Sequence, residues 1–138
     1  MLSLFESFKS LDIRVGTVTS VDFFKNAIKP SYKLTIDFGN NGVLKSSAQI
    51  TRLYDTETLI GTQVIAIVNF PKKQIANFMS QCLVLGIVEN DEVVLLRPDK
   101  RVKNGLKFPN LHNTRKENCI QKYFISSIPK CSKVCVVC

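Results

Sequence analysis

Seven residues starting at Tyr32 alternate without a break: Tyr32, Leu34, Ile36 and Phe38 are apolar, and Lys33, Thr35 and Asp37 between them are polar. A two-residue period sends successive side chains to opposite faces, so this stretch is a strand with one buried face and one wet face, Lys33 on the wet one. Such a strand is unstable alone and needs neighbours that share its apolar side. The flanking sequence offers them. Ile13 to Phe24 is rich in β-branched residues, and Gly16 within it suggests a bulge or bend. Gly39-Asn-Asn-Gly42 is a tight-turn signal that leads into a further strand, Val43 to Ile50. Gln63 to Phe70 and Leu83 to Glu89 are nearly continuous apolar runs, as expected of strands buried on both faces. Val93 to Leu96 returns across the turn at Asn90 and Asp91.

Helical signals are few. Ser3 and Glu6 fit a capping box, and Leu4, Phe5, Phe8 and Leu11 then fall on one helical face. That helix is too short to be stable alone and must dock on its own domain or on a second copy. Asp55, Thr56 and Glu57 open a second short helix, which stops at Gly61. The expected fold is therefore mainly β: a five-stranded Greek-key barrel of the oligonucleotide/oligosaccharide-binding (OB) type. It carries a short N-terminal helix and a short helix between strands three and four. In such barrels the loops between strands one and two (here about 25–31) and between strands four and five (71–81) frame the ligand face. Both are basic, through Lys25, Lys29, Lys72 and Lys73.

Composition changes near Phe108. Residues 1–108 hold 14 Lys/Arg and 10 Asp/Glu; residues 109–138 hold five basic residues, one acid and four of the five cysteines. We read 1–108 as one domain and 109–138 as a basic, Cys-containing extension. A mildly basic body permits a nucleic-acid partner without demanding one. No run of eighteen apolar residues suggests a transmembrane segment, and MLSLFESF is a poor signal peptide, so the expected compartment is the cytoplasm.

Five blocks carry a resemblance. LDIRVGTV (11–18), KPSYKLTIDFG (29–39), KSSAQITRLY (45–54), LIGTQVIAIVNFPKKQIANFMSQCLVLG (59–86) and EVVLLRPDKRVKNGLK (92–107) are similar to the tRNA-binding domain superfamily, and within it to the CsaA-type secretion chaperones. The resemblance spans Phe5 to about Lys107. It implies an OB fold, a symmetric homodimer and binding without catalysis, with no cofactor. It offers two ligand classes: non-native or export-bound polypeptides (preproteins), or, as the alternative, structured tRNA on the same surface. The extension from Pro109 has no counterpart in that pattern.

Loop 71–81 raises the sharpest question, because Ile75, Phe78 and Met79 stand beside Lys72 and Lys73. Packing in the core or a dimer interface would explain the apolar three. So would an exposed apolar surface for varied polypeptide segments, with lysines that speed encounter. On the second reading Phe70, Ile75, Phe78 and Met79 give apolar contact, and Lys72, Lys73 and Lys33 steer. Asn69, Ser46 and Ser80 then hydrogen-bond the ligand backbone. Ser80 and Gln81 match a Ser-Gln/Glu pair that the wider family has beside its RNA-binding surface. Arg14, Lys45 and Ser47 adjoin the strands of that face and could line it. For tRNA the same cations would neutralise phosphates.

Catalytic chemistry is poorly served. The one histidine, His112, lies in the extension, so a Ser/His/Asp set within the body is excluded. No glycine-rich phosphate loop precedes a helix. The expectation is a protein that is not an enzyme; a chaperone here would hold unfolded chain by mass action, without ATP. In the extension, Cys131, Cys135 and Cys138 with Cys119 or His112 could bind zinc, and the terminal Cys135 to Cys138 has the outline of a prenylation box. A loosely structured extension with neither is the favoured reading. A purely structural dimer within a larger complex remains the third class of function.

Overall fold

In the computed structural model, which describes residues 1–108, the alternating stretch forms β2 (Tyr32–Asp37), and Leu34 and Ile36 are fully buried. On one side β2 pairs with β3 (Val43–Ala48) over its whole length. On the other it pairs with the second half of β1 (Ile13–Phe23), from Thr17 to Phe23. The first half of β1 pairs instead with β4 (Gln63–Ile67), Ile13 opposite Ile67 and Thr17 opposite Gln63. One eleven-residue strand thus serves two neighbours in turn. A register shift between Val18 and Ser20 marks the place where it bends. The path β3-β2-β1-β4 continues to β7 (Leu83–Val84), giving a nearly closed five-stranded barrel of OB type with two short helices among the described residues. Its core is Val18, Leu34, Ile36, Phe38, Leu59 and Val64, all without exposed surface.

Gly16 has a different role from the one expected. It pairs in regular register with Val64, and the bulge lies three residues further on. A Cβ at Gly16 would meet Ile36 Cγ2 at 2.6 Å and the Phe38 ring at 2.7 Å, so glycine is required here because core side chains lie flat against the backbone. The second apolar run also departs from expectation. β4 is buried on both faces, but the run from Leu83 follows it only as far as Leu85, which donates to Ile65 O in the same register. From Gly86 the chain turns into a hairpin of β8 (Gly86–Glu89) and β9 (Glu92–Leu95), tied back where Leu96 donates to Leu85 O. Asn90 and Asp91, both at positive φ, make its two-residue turn. Ile87 and Val94 face each other across this hairpin and stay exposed.

Residues 71–81 are not a plain loop. They fold back as β5 (Lys73–Ile75) and β6 (Phe78–Ser80), with Ala76 at φ 50° in a two-residue turn that Gln74 Nε2 clamps by donating to Ala76 O at 2.7 Å. At the other end of β2, the segment leading to β10 (Lys107–Phe108) crosses beside β1. A buried polar group ties it down. Gln63 Nε2 donates to Val102 O and Asn104 Oδ1, Val102 N donates to Gln63 Oε1, and Thr17 Oγ1 donates to Asn104 Oδ1.

Leu11–Phe108 form one compact unit. The first ten residues are described by themselves: helix α1 (Leu4–Ser10) begins with the capping box, Ser3 N donating to Glu6 Oε2 at 2.9 Å and Glu6 N to Ser3 Oγ at 3.1 Å. The hydrogen bond from the Ser3 backbone holds the Glu6 carboxyl below its ordinary range. Helix α2 (Thr56–Leu59) starts after Asp55 and buries Leu59 in the barrel. Among the described residues no helix is long and apolar enough to cross a membrane.

Candidate functional site

Three pieces of chain stand around one end of the barrel: the β1–β2 loop, the β5–β6 hairpin, and the ends of β3 and β7. Between them lies an open cleft of about 990 Å³ whose walls are mostly apolar. Ile28 and Lys29 come from the β1–β2 loop; Ser47, Ala48 and Gln49 from the end of β3; Lys73 and Ile75 from the hairpin; and Leu83 and Val88 from the far wall. The size is within the range of small-ligand sites, and the open top suits a segment of a longer molecule.

The hairpin is held over the barrel by aromatic packing that no periodicity in the sequence announced. Phe24, with 1% of its surface exposed, meets the Phe78 ring edge-on at 5.5 Å between centroids. The Lys33 ammonium lies 4.7 Å from the Phe24 centroid and 5.5 Å from that of Phe78. Each such contact contributes roughly 0.5–2 kcal/mol, according to how far water is excluded. Lys33 is on the outer face of β2, as its alternation predicts, but its charge caps two rings. Cross-strand pairing puts Phe78 with Ile75, and Ser80 with Lys73, on one face of the hairpin; Met79 is with Gln74 on the other and is 43% exposed.

Of the residues singled out in the sequence, Lys29, Ser47, Phe70, Lys73, Ile75 and Ser80 line the cleft. Phe78 packs beneath the hairpin, and Lys72 and Met79 are exposed on it without lining the cleft. Ser46 is buried at 1%, and its hydroxyl donates to Cys82 O at 2.9 Å. Arg14 is away from the cleft, paired with Asp12 at 2.8 Å and donating from Nη1 to Gly105 O. Asn69 Oδ1 accepts from Asp12 N. These contacts hold the barrel together. Ile28, Ala48, Gln49, Leu83 and Val88 were not singled out. No motif marks them, because they come from separate segments that only the fold assembles.

Ser80 and Gln81 form a seam. Gln81 Oε1 accepts from Lys45 N at 2.9 Å, Gln81 N donates to Lys45 O at 2.7 Å, and Ser80 Oγ accepts from Ser47 N at 3.2 Å. β3 is joined to the residues before β7 by one main-chain bond and these two side chains in place of a regular ladder. Beside the seam, burial pushes the Cys82 thiol up to about 11 against a weaker opposing bond from Ser46, so it stays protonated and unreactive at neutral pH. Among the described residues no three His, Cys, Asp or Glu side chains gather to hold a metal ion, and the zinc and prenylation readings of the extension lie outside those residues.

Comparison with known proteins agrees with this architecture. The family model of the tRNA binding domain matches residues 13–107. The solved chaperone CsaA from Bacillus anthracis is 51% identical with a TM-score of 0.73, over 78% of this chain and 98% of that one. The CsaA chaperone protein from Picrophilus torridus is 51% identical with a TM-score of 0.72, over the same shares. A methionine–tRNA ligase from Methanothrix thermoacetophila is 36% identical over 101 residues, which are 73% of this chain and only 15% of the ligase. With the barrel, the matched span and the near-complete coverage of the two solved chaperones, the chain belongs to the tRNA-binding domain family, in its CsaA-type branch.

Proposed function

We propose that this protein is a non-catalytic, cytoplasmic holding module that binds extended apolar segments of non-native or export-bound polypeptides in the cleft. The observation that carries this reading is the wall chemistry: a wide, open cleft faced mainly by Ile28, Phe70, Ile75, Leu83 and Val88, with Lys29 and Lys73 at its rims. Apolar walls reward burial of apolar side chains at about 25 cal/mol per Å², while the rim cations raise the rate of encounter. In the Phe70→Ser, Leu83→Ser double variant two of the exposed apolar contacts of the cleft go. The concentration needed to suppress aggregation of a denatured client should rise at least tenfold: full burial of such a side chain is worth roughly 1.5–3 kcal/mol, and about half of each of the two remains for a client to bury. Unchanged suppression by the folded variant would move the client site elsewhere.

A second reading, tRNA binding, is favoured by the family match over residues 13–107 and by the basic rims. It predicts affinity that falls steeply with salt, since each phosphate neutralised releases a counterion.

We further infer a homodimer. Ile87 and Val94, 60% and 43% exposed on one face of the β8–β9 hairpin, are an apolar pair of the kind that a second copy would cover. Ile87→Glu with Val94→Glu should then convert a dimer to a monomer in light scattering. A variant that keeps the dimer mass would exclude this hairpin as the contact.

A further inference from the structure

The edge of β3 changes character along its length. Lys45 bonds outward through both its N–H and its C=O, and Ser47 through its N–H, all to residues 80 and 81. In a strand the N–H and C=O of one residue point the same way, and residues two apart share a side. The Ser47 carbonyl therefore faces outward as well, and continuing the strand one residue past its end at Ala48 puts the Gln49 N–H on the same side. No described residue bonds to either, and Ser47, Ala48 and Gln49 form a wall of the cleft. The seam made by Ser80 and Gln81 stops where the cleft begins and leaves a short bare strand edge inside it.

We propose that this edge takes an extended polypeptide as an added strand, with the Ser47 carbonyl and the Gln49 N–H making the first main-chain hydrogen bonds. Alternate side chains of the guest pack on the apolar far wall at Leu83 and Val88, and carboxylates flanking the apolar segment meet Lys29 and Lys73. The inference rests on the reading that the cleft holds polypeptide, and it supplies the mode of binding and the chemistry of the guest. Main-chain pairing gives affinity independent of sequence, while apolar pockets and basic rims select apolar segments with acidic flanks. A ribose-phosphate chain does not offer alternating N–H and C=O groups at strand spacing.

The test uses the full chain and labelled ten-residue peptides read by fluorescence anisotropy. One peptide has an apolar core with glutamates at both ends; a second has lysines at the ends. Two more are the glutamate peptide N-methylated at alternate core residues, in one register or the other. Strand addition makes one N-methyl register lose at least tenfold in affinity while the other stays within twofold, because only one row of N–H groups faces β3. The lysine-ended peptide should bind several-fold more weakly at low salt. Equal effects of the two registers would overturn strand addition and leave the cleft reading standing. Equal binding of the glutamate- and lysine-ended peptides would overturn the acidic-flank assignment. If no peptide binds while tRNA does, both the inference and the polypeptide reading fall.

Discussion

Gly105→Ala should lower the thermal unfolding midpoint of the full chain by roughly 15 °C. Gly105 sits at φ 86°, where an L side chain costs about 1–2 kcal/mol, and a Cβ there would run into the Phe38 carbonyl oxygen and come within 2.9 Å of Asn41 Nδ2. Neither side can yield. Phe38 has no exposed surface and anchors the core, while Gly105 is tied on both flanks, its N–H donating to Val15 O at 2.7 Å and its C=O accepting from Arg14 Nη1 at 2.8 Å. Overpacking adds roughly 1–3 kcal/mol to the backbone strain, for a sum of about 3 kcal/mol. For a domain of this size each kcal/mol moves the midpoint by roughly 4–8 °C. Calorimetry or circular dichroism reads the shift directly. A change below about 4 °C would mean that the crossing segment before β10 is not the fixed closure described here.

Phe24→Ala should cost about 3–4 kcal/mol, since truncating a buried phenylalanine removes its transfer energy and leaves a cavity. Its second effect is more telling. Without the Phe24 ring the Phe78 side chain and the Lys33 ammonium lose a shared partner, so the β5–β6 hairpin loses its anchor. Trypsin should then cut after Lys72 and Lys73 at least tenfold faster under native conditions, well below the unfolding midpoint. Lys33→Met keeps the stem and removes only the cation, and should produce a much smaller version of both effects. If Phe24→Ala loses stability with no change in cleavage at the hairpin, the aromatic cluster supports the barrel but does not hold the rim of the cleft.

The same residues show where sequence reasoning reached and where it stopped. The alternation from Tyr32 to Phe38 placed β2, its buried face and its outward lysine, because a strand's side-chain period is a local property. The capping box at Ser3 and Glu6 and the turn at Asn90 and Asp91 were legible for the same reason. Leu83 to Glu89 misled because an apolar run does not show where it changes partner; Leu83 to Leu85 follow β4 in one register, and from Gly86 the chain pairs with β9 instead. Ser46 and Ser80 looked alike as hydrogen-bonding serines of one binding face. Ser46 turned inward to Cys82, and Ser80 became part of a seam.

By itself the sequence determined the class of barrel, the order of its main strands, the two basic rims and the family, since each is written in short-range periodicity or in ordered motif blocks. The tertiary structure decided which side chains are free to meet a ligand. Lys33 is drawn onto two aromatic rings, Gln81 onto the edge of β3, and Ile28, Gln49 and Leu83 into one cleft from segments far apart in the chain. Hydrogen bonds and ring contacts between distant residues depend on where the folded backbone brings them, and no local pattern encodes that.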